Sequence, residues 1–381
     1  MTTPWTLARQ TARAAAKPLE AVELALGDAL GFALASGVRA LTSQPTCDTS
    51  AMDGYAVAGP GPWTVRGRVA AGDPVPSVRL GPGEAFVVAT GAPVPDGSDA
   101  VVPVELCTVD GLPLTGLAVT GTSLAGKHVR RRGEDWSAGD ELVPAGTTVS
   151  PAVLGLAAGA GHDTLLVHRR PRVAVVVTGD ELLHAGPPRP GRVRDAIGPM
   201  LPGLLTGADL LGTTHLPDDP AALAGALGQD HADVLVTCGA TSKGPADHLR
   251  HVLAGLGAEV LVSGVACRPG HPMLLAVLPD GRCVVGLPGN PFAALAAVLT
   301  LLHPLLDALG GHAGRPATTA HLTGVNAHPR DTRLVPVVLT GAEAVPVGHD
   351  RPGSLWGAAL ADALAVVPPG HAGGAVELLI L

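Results

Sequence analysis

Val234-Leu235-Val236-Thr237 is a short run rich in β-branched residues, and it feeds directly into Cys238-Gly239-Ala240-Thr241-Ser242-Lys243-Gly244. A segment with helical spacing follows. Further along stand Arg268-Pro269-Gly270-His271-Pro272 and then Gly286-Leu287-Pro288-Gly289-Asn290-Pro291, which opens another apolar helix. Each of these loops falls where a strand should end and a helix begin. Free backbone N–H groups and the helix dipole at such places favour an anion. The stretch reads as the ligand edge of an α/β sheet that handles phosphate or another oxyanion.

Working outward, Arg172–Val177 is a continuous β-branched run, the texture of a strand buried on both faces. Thr178-Gly179-Asp180-Glu181-Leu182 follows it. Ligands bind at the carboxyl ends of parallel strands. A carboxylate here either coordinates a divalent cation or ligand group, or caps a local turn; spacing alone does not decide between them. Strands are expected at Asp233–Thr237 and Val260–Val265. Helices are expected over Pro199–Leu211, Ala246–Leu256 and Pro291–Leu309. Asp280-Gly281 between Met273–Leu278 and Arg282–Gly286 signals a hairpin. The alternation implies a mostly parallel sheet with right-handed crossovers. Asn290 is a natural N-cap, and Asp247 reads equally well as an ordinary acid in a first helical turn.

The flanks have a different texture. Pro18–Leu34 carries Leu19, Val22, Leu26, Leu30 and Leu34 at helical spacing and reads as an amphipathic helix. Trp63–Val69, Glu84–Ala89 and Ala100–Leu106 alternate with Gly, Pro and Asp turns, a small β-rich lobe. Pro151–Gly161 reads as a helix packing back on the first. Past Arg315, short strands return at His321–Val325, Leu334–Leu339 and Ala363–Val367.

At 381 residues with 46% apolar and 2% aromatic content, the chain can fill several cores with Leu, Val and Ala. A net charge of −8 without a basic stripe argues against nucleic acid. Arg130-Arg131-Arg132 is the densest basic run, a solvated turn or an anion site. The five cysteines are scattered without a CxxC, as in reduced cytoplasmic thiols. Met1–Gln10 has no signal-peptide pattern. The apolar run Phe292–Leu309 is interrupted by His303-Pro304, so no membrane span is expected, and a soluble cytoplasmic protein is. There is no phosphate-loop signature, no dinucleotide fingerprint and no metal-type Cys/His spacing, and His248 with His251 reads as a surface pair.

The order of these segments resembles the MoeA/gephyrin E-domain family, the molybdopterin molybdenumtransferases. Ser50–Val57 is similar to its S-x-M-D-G-Y-A motif; Thr90-Gly91-Ala92 and Arg131-Arg132-Gly133-Glu134-Asp135 to its next two. Thr178–Leu182 matches T-G-D-E-L, Thr241–Asp247 resembles the G-G-x-S-x-G-D-x-D loop, and Leu287–Pro291 matches L-P-G-N-P. Gly353-Ser354 with Leu360 to Val366 resembles the terminal pattern.

The resemblance implies a multidomain chain of α+β and α/β parts. A linker and dimerisation domain would span 1–45 with 136–168, and a β-rich lobe 46–135. A MogA-like three-layer α/β domain would span 169–312, and a small β domain 313–381. It implies a homodimer whose cleft lies between the α/β domain of one subunit and the β-rich lobe and C-terminal domain of the other. The implied reaction inserts molybdate into adenylylated molybdopterin and releases AMP with the help of Mg²⁺. Asp53, Glu181 and Asp247 would be catalytic, the last two also holding the metal. Thr90, Asp135, Ser242, Lys243, Pro288 and Asn290 would bind the pterin substrate, and Arg268, His271 and Ser354 the molybdate. Arg268 and His271 stand where lysines are usual, Pro245 where an acid is, Asp195-Ala196-Ile197 where Asp-Ser-Asn is, and Ala293 where a serine is. Arg330-Asp331-Thr332-Arg333 is what remains of R-x-E-F-x-R. These departures set a second reading beside the enzyme, a non-catalytic carrier of molybdopterin or finished cofactor.

Overall fold

The computed structural model describes residues 2–110, 118–228, 231–239, 241, 248–314 and 317–381. Its central sheet has six strands in the order Asp209–Leu216, Arg172–Thr178, Val234–Cys238, Cys283–Leu287, Leu274–Val277 and Glu259–Ser263. The first four run parallel. The Asp280-Gly281 turn makes Leu274–Val277 antiparallel to Cys283–Leu287, and Glu259–Ser263 is antiparallel to Leu274–Val277 in turn. Every residue of Val234–Cys238 and of Cys283–Leu287 is buried. One face of the sheet packs on the helical run Pro291–Leu309 and on the N-terminal helix Trp5–Ala14. The other face packs on Pro220–Leu227 and Leu249–Gly255.

Several expected elements change type. Pro18–Leu34 is not a helix: Ala21–Ala25 is a strand, antiparallel to Thr164–His168, and Leu26–Asp28 is a single 3₁₀ turn. Val22, Leu24 and Leu26 also repeat every second residue. The chance to pair with Thr164–His168 selects that period over the helical one. Pro151–Gly159 is helical, with Ser150 capping Val153 N–H. It packs with Leu34, Val38 and Leu165 rather than on a helix. Pro199–Leu211 splits into one turn of helix, Leu201–Leu204, and the start of the edge strand Asp209–Leu216. Val260–Val265 divides at Gly264, since Glu259–Ser263 joins the central sheet and Val265–Arg268 leaves it.

His303-Pro304 does not break the long helix. Pro291–Leu309 is 19 residues of continuous helix, long and apolar enough to cross a membrane by those measures alone, yet 89% of its apolar window is buried in the fold. The chain absorbs the proline by widening Val298–Leu302 into a π turn, in which His303 N–H reaches back to Val298 O. Pro304 has no N–H to give to Leu299 O. Arg9 Nη1 donates to that carbonyl at 2.9 Å, and Trp5 Nε1 donates to Thr300 Oγ1 at 3.1 Å. Arg9 of the helix Trp5–Ala14 thus supplies the hydrogen bond that Pro304 cannot.

The β-rich lobe is a six-stranded sheet with separate apolar clusters, one around Val69, Val88 and Val101 and another around Tyr55, Trp63 and Val102. Gly54 is obligatory there, because a Cβ would lie 2.1 Å from Val102 O. The terminal sheet has seven strands and recruits Thr3–Pro4 and Val265–Arg268 from elsewhere in the chain. Val265–Arg268 runs parallel to Thr332–Thr340. Its strands Glu343–Pro346 and Gly374–Ile380 are too short or too irregular in burial to stand out in the sequence.

Candidate active site

Three parallel strands of the central sheet end together. Arg172–Thr178 leads into Gly179-Asp180-Glu181, Val234–Cys238 into Gly239, and Cys283–Leu287 into Pro288-Gly289-Asn290. Thr178 Oγ1 donates to Cys238 O at 3.2 Å, and Gly239 N donates to Leu287 O at 3.1 Å. The ends of the first and third strands are thus each bonded to the end of the second. Asp180 and Glu181 are exposed at this edge. Ser242, Lys243, Pro245 and Asp247 lie outside the described residues. Thr241, the described residue that precedes them in sequence, is 2% exposed and packs against Gly286.

The structure adds Asp218 to the edge, a residue not singled out from the sequence. It follows the neighbouring strand Asp209–Leu216. Asp180 N donates to Asp218 Oδ2 at 3.2 Å and Asp218 N donates to Asp180 Oδ1 at 3.4 Å. The signal was present: Asp218-Asp219-Pro220 is an acid pair before a helix, and Asp219 caps it through the N–H groups of Ala221 and Ala222. The helix expected over Pro199–Leu211 takes in the start of this strand and no strand is expected over 212–216, so the sequence gives Asp218 no place at a strand end.

Asn290 holds the N-cap position of the long helix, but its side chain makes no cap hydrogen bond. Pro352 O does that work, accepting from Phe292 N at 2.9 Å and Ala293 N at 3.4 Å. This puts Arg351-Pro352-Gly353-Ser354 of the terminal domain over the helix N-terminus within one chain. A Cβ on Gly353 would lie 3.5 Å from Asn290 Oδ1. Ser354 Oγ accepts from Trp356 N at 3.3 Å.

Arg268 and His271 are both exposed. Arg268 Nε donates to Asp331 Oδ2 at 2.8 Å, and His328 Nδ1 lies 3.3 Å from the same oxygen. The Arg268 hydrogen bond holds the Asp331 carboxyl below its ordinary range; burial works against it, and His328 and His271 add to it. Arg333, two residues after Asp331 in the Arg330–Arg333 segment, donates from Nη2 to Asp350 Oδ2 at 2.5 Å.

In the β-rich lobe, Asp53 Oδ1 accepts from Thr90 N at 2.6 Å and Thr90 Oγ1 at 3.0 Å. These bonds, the backbone one first, hold the Asp53 carboxyl below its ordinary range. The basic run is ion-paired: Arg130 with Asp135 at 2.5 Å, Arg131 with Asp48 at 2.5 Å. Arg131, Arg132 and Asp48 line a cavity of about 440 Å³. None of the described hydrogen bonds or ion pairs links Asp53, Thr90 or Asp135 to the edge of the central sheet.

Three family models match in succession. The "MoeA N-terminal region (domain I and II)" covers residues 3–161, the "probable molybdopterin binding domain" 174–308, and the "MoeA C-terminal region (domain IV)" 321–380. A molybdopterin molybdenumtransferase of Synechococcus elongatus is 35% identical over 303 residues, 75% of this chain and 74% of that one. The enzyme of that name from Bacillus subtilis is 31% identical over 385 residues, 94% of this chain and 89% of its own. The crystal structure of a molybdopterin biosynthesis MoeA protein from Pyrococcus horikosii superposes with a TM-score of 0.81 at 28% identity, covering 100% of this chain and 99% of that one.

Proposed function

The chain belongs to the MoeA family of molybdopterin molybdenumtransferases, and from that premise we propose how its residues divide the work of loading molybdenum onto molybdopterin. It is a transferase of molybdenum cofactor biosynthesis. Its substrates on this reading are adenylylated molybdopterin and molybdate, its products AMP and the loaded cofactor, and its setting the cytoplasm. The observation that carries the reading is the convergence of strand ends bearing Asp180, Glu181 and Asp218 beside a helix N-terminus roofed by the terminal domain.

Pro288, Asn290, Ser242 and Lys243 would hold the pterin and its phosphates. Thr90 fixes Asp53, and Arg130 fixes Asp135, for contact with the substrate from the β-rich lobe. Arg268, His271 and Ser354 would hold molybdate, which suits one permanent cation, a ring that is a cation when protonated, and a hydroxyl. Breaking a phosphoanhydride requires neutralisation of charge on its oxygens and a positioned attacking oxygen. The donor set Asp180, Glu181 and Asp218, with Asp247, consists of the carboxylate oxygens that a hard cation such as Mg²⁺ takes. When bound, that ion would supply charge neutralisation at the pyrophosphate. The proposed assembly is a homodimer of four-domain chains, divided at 1–45 with 136–168, 46–135, 169–312 and 313–381.

Purified protein supplied with adenylylated molybdopterin, Mg²⁺ and molybdate should release AMP. Glu181→Gln should lower that rate by about a hundredfold or more with an unchanged melting temperature. Tight pterin binding without AMP release from the unaltered protein would replace the transferase reading with the carrier one.

A further inference from the structure

Beside the strand-end cleft, on the open edge of the central sheet, three potential metal ligands converge. His184 stands in the excursion after Leu182–Leu183, Asp195 at the end of that excursion just past Val193–Arg194, and His215 near the end of the edge strand Asp209–Leu216. One ligand atom from each lies within 4.8 Å of the other two. Their rings and carboxylate are oriented rather than scattered. His215 Nε2 sits 3.2 Å from Asp195 Oδ2, and the two imidazoles meet edge to face at 4.1 Å between centroids.

The carboxylate is built in. Asp195 is 7% exposed, and its Oδ1 accepts from Ile197 N and Gly198 N, both at 3.0 Å. Oδ2 is thereby aimed at the two histidines. Gly198 keeps that oxygen accessible, since a Cβ there would lie 2.4 Å from it. His184 and His215 are exposed and line a cavity of about 190 Å³ together with Arg194, whose guanidinium is drawn toward Leu183 O at 3.4 Å. The three ligands come from positions 184, 195 and 215, so no local Cys/His spacing announces them.

We propose that His184, Asp195 and His215 form a binding site for a borderline divalent cation of the Zn²⁺ class, distinct from the carboxylates that suit Mg²⁺. Two imidazole nitrogens and one carboxylate oxygen are the ligand types that Zn²⁺ takes in sites with one position left to water. Imidazole selects against Mg²⁺ and Ca²⁺. The ion pins the excursion between Leu183 and Asp195 to the outermost strand of the sheet, next to the Thr178–Leu182 loop.

The test uses the whole chain stripped with a chelator and then titrated with Co²⁺ and with Zn²⁺. The expected result is one Co²⁺ per chain with the visible band of a low-symmetry nitrogen and oxygen site, displaced by Zn²⁺, and a melting temperature raised by Zn²⁺. His184→Ala and His215→Gln change exposed side chains. Each should weaken binding by about tenfold or more and abolish the thermal shift, whereas His251→Ala on a separate helix should do neither. Absence of a Co²⁺ band in the unaltered protein, or binding that persists in both variants, overturns the site. No pterin or molybdate enters the measurement, so its failure leaves the transferase reading untouched.

Discussion

Arg268 holds its guanidinium against Asp331 at 2.8 Å although its side chain is 63% exposed. An exposed pair of this kind adds little stability, so its consequence lies in the field it leaves for an incoming oxyanion. Asp331 cancels part of the charge that an oxyanion such as molybdate would feel at Arg268. Asp331→Asn should tighten molybdate binding by about threefold to tenfold, a range set by the ~1 kcal/mol scale of exposed charge pairs, while Arg268→Gln should weaken it. Calorimetric titration with molybdate checks both signs. Weaker binding in Asp331→Asn would mean that the carboxylate orients Arg268 toward the anion rather than competing for it.

At the scale of elements, the π turn in the long helix ties a histidine to the fold. His303 Nε2 bonds to Leu204 O at 2.8 Å; burial lowers the ring's pKa, the Leu204 hydrogen bond and then Asp307 oppose the shift, and Arg9 reinforces it. The folded state therefore binds fewer protons here than the unfolded chain. Its contribution to stability is present above the reference value of about 6.5 and is lost as pH falls below it. Chemical denaturation should show stability falling between neutral pH and the acid side of the reference value, with part of that slope coming from this group. His303→Gln keeps a donor for Leu204 O and should flatten that slope; an unchanged slope would assign it to other groups. Such elements also show where sequence reading works. Val234–Cys238 and Cys283–Leu287 are legible because burial on both faces demands an unbroken apolar run, and Asp280-Gly281 because a tight hairpin demands those residues. Ala21–Ala25 is not, because Val22 and Leu26 fit both periods and only the distant partner Thr164–His168 chooses. The strand-end loops of the candidate site were visible for the first reason. The acid Asp218 and the Pro352 cap were not, since each depends on a neighbour far away in sequence.

At the scale of the whole molecule, the β-rich lobe has its own apolar clusters, and no described hydrogen bond or ion pair joins its candidate residues Asp53, Thr90 and Asp135 to the central sheet. The terminal domain, by contrast, shares the apolar cluster of the central sheet through Leu334, Leu364 and Leu379 and roofs the long helix of the same chain. One half of the candidate site is therefore assembled within a chain, while Asp53 and Thr90 have no described bond to it. A two-fold dimer resolves this if the lobe of one subunit faces the sheet edge of the other. Light scattering should give twice the chain mass at micromolar concentration. A stronger test mixes two inactive variants, Asp53→Asn and Glu181→Gln, after brief unfolding and refolding together. If each site draws Asp53 from one chain and Glu181 from the other, a mixed dimer carries one intact site and one doubly altered site. Random pairing then restores about a quarter of the unaltered activity. If both residues serve a site within one chain, every site in the mixture keeps one defect and activity stays at the level of the separate variants. Restoration would place the missing contact across the dimer; its absence at full dimer content would place it in a closure of the lobe onto its own sheet.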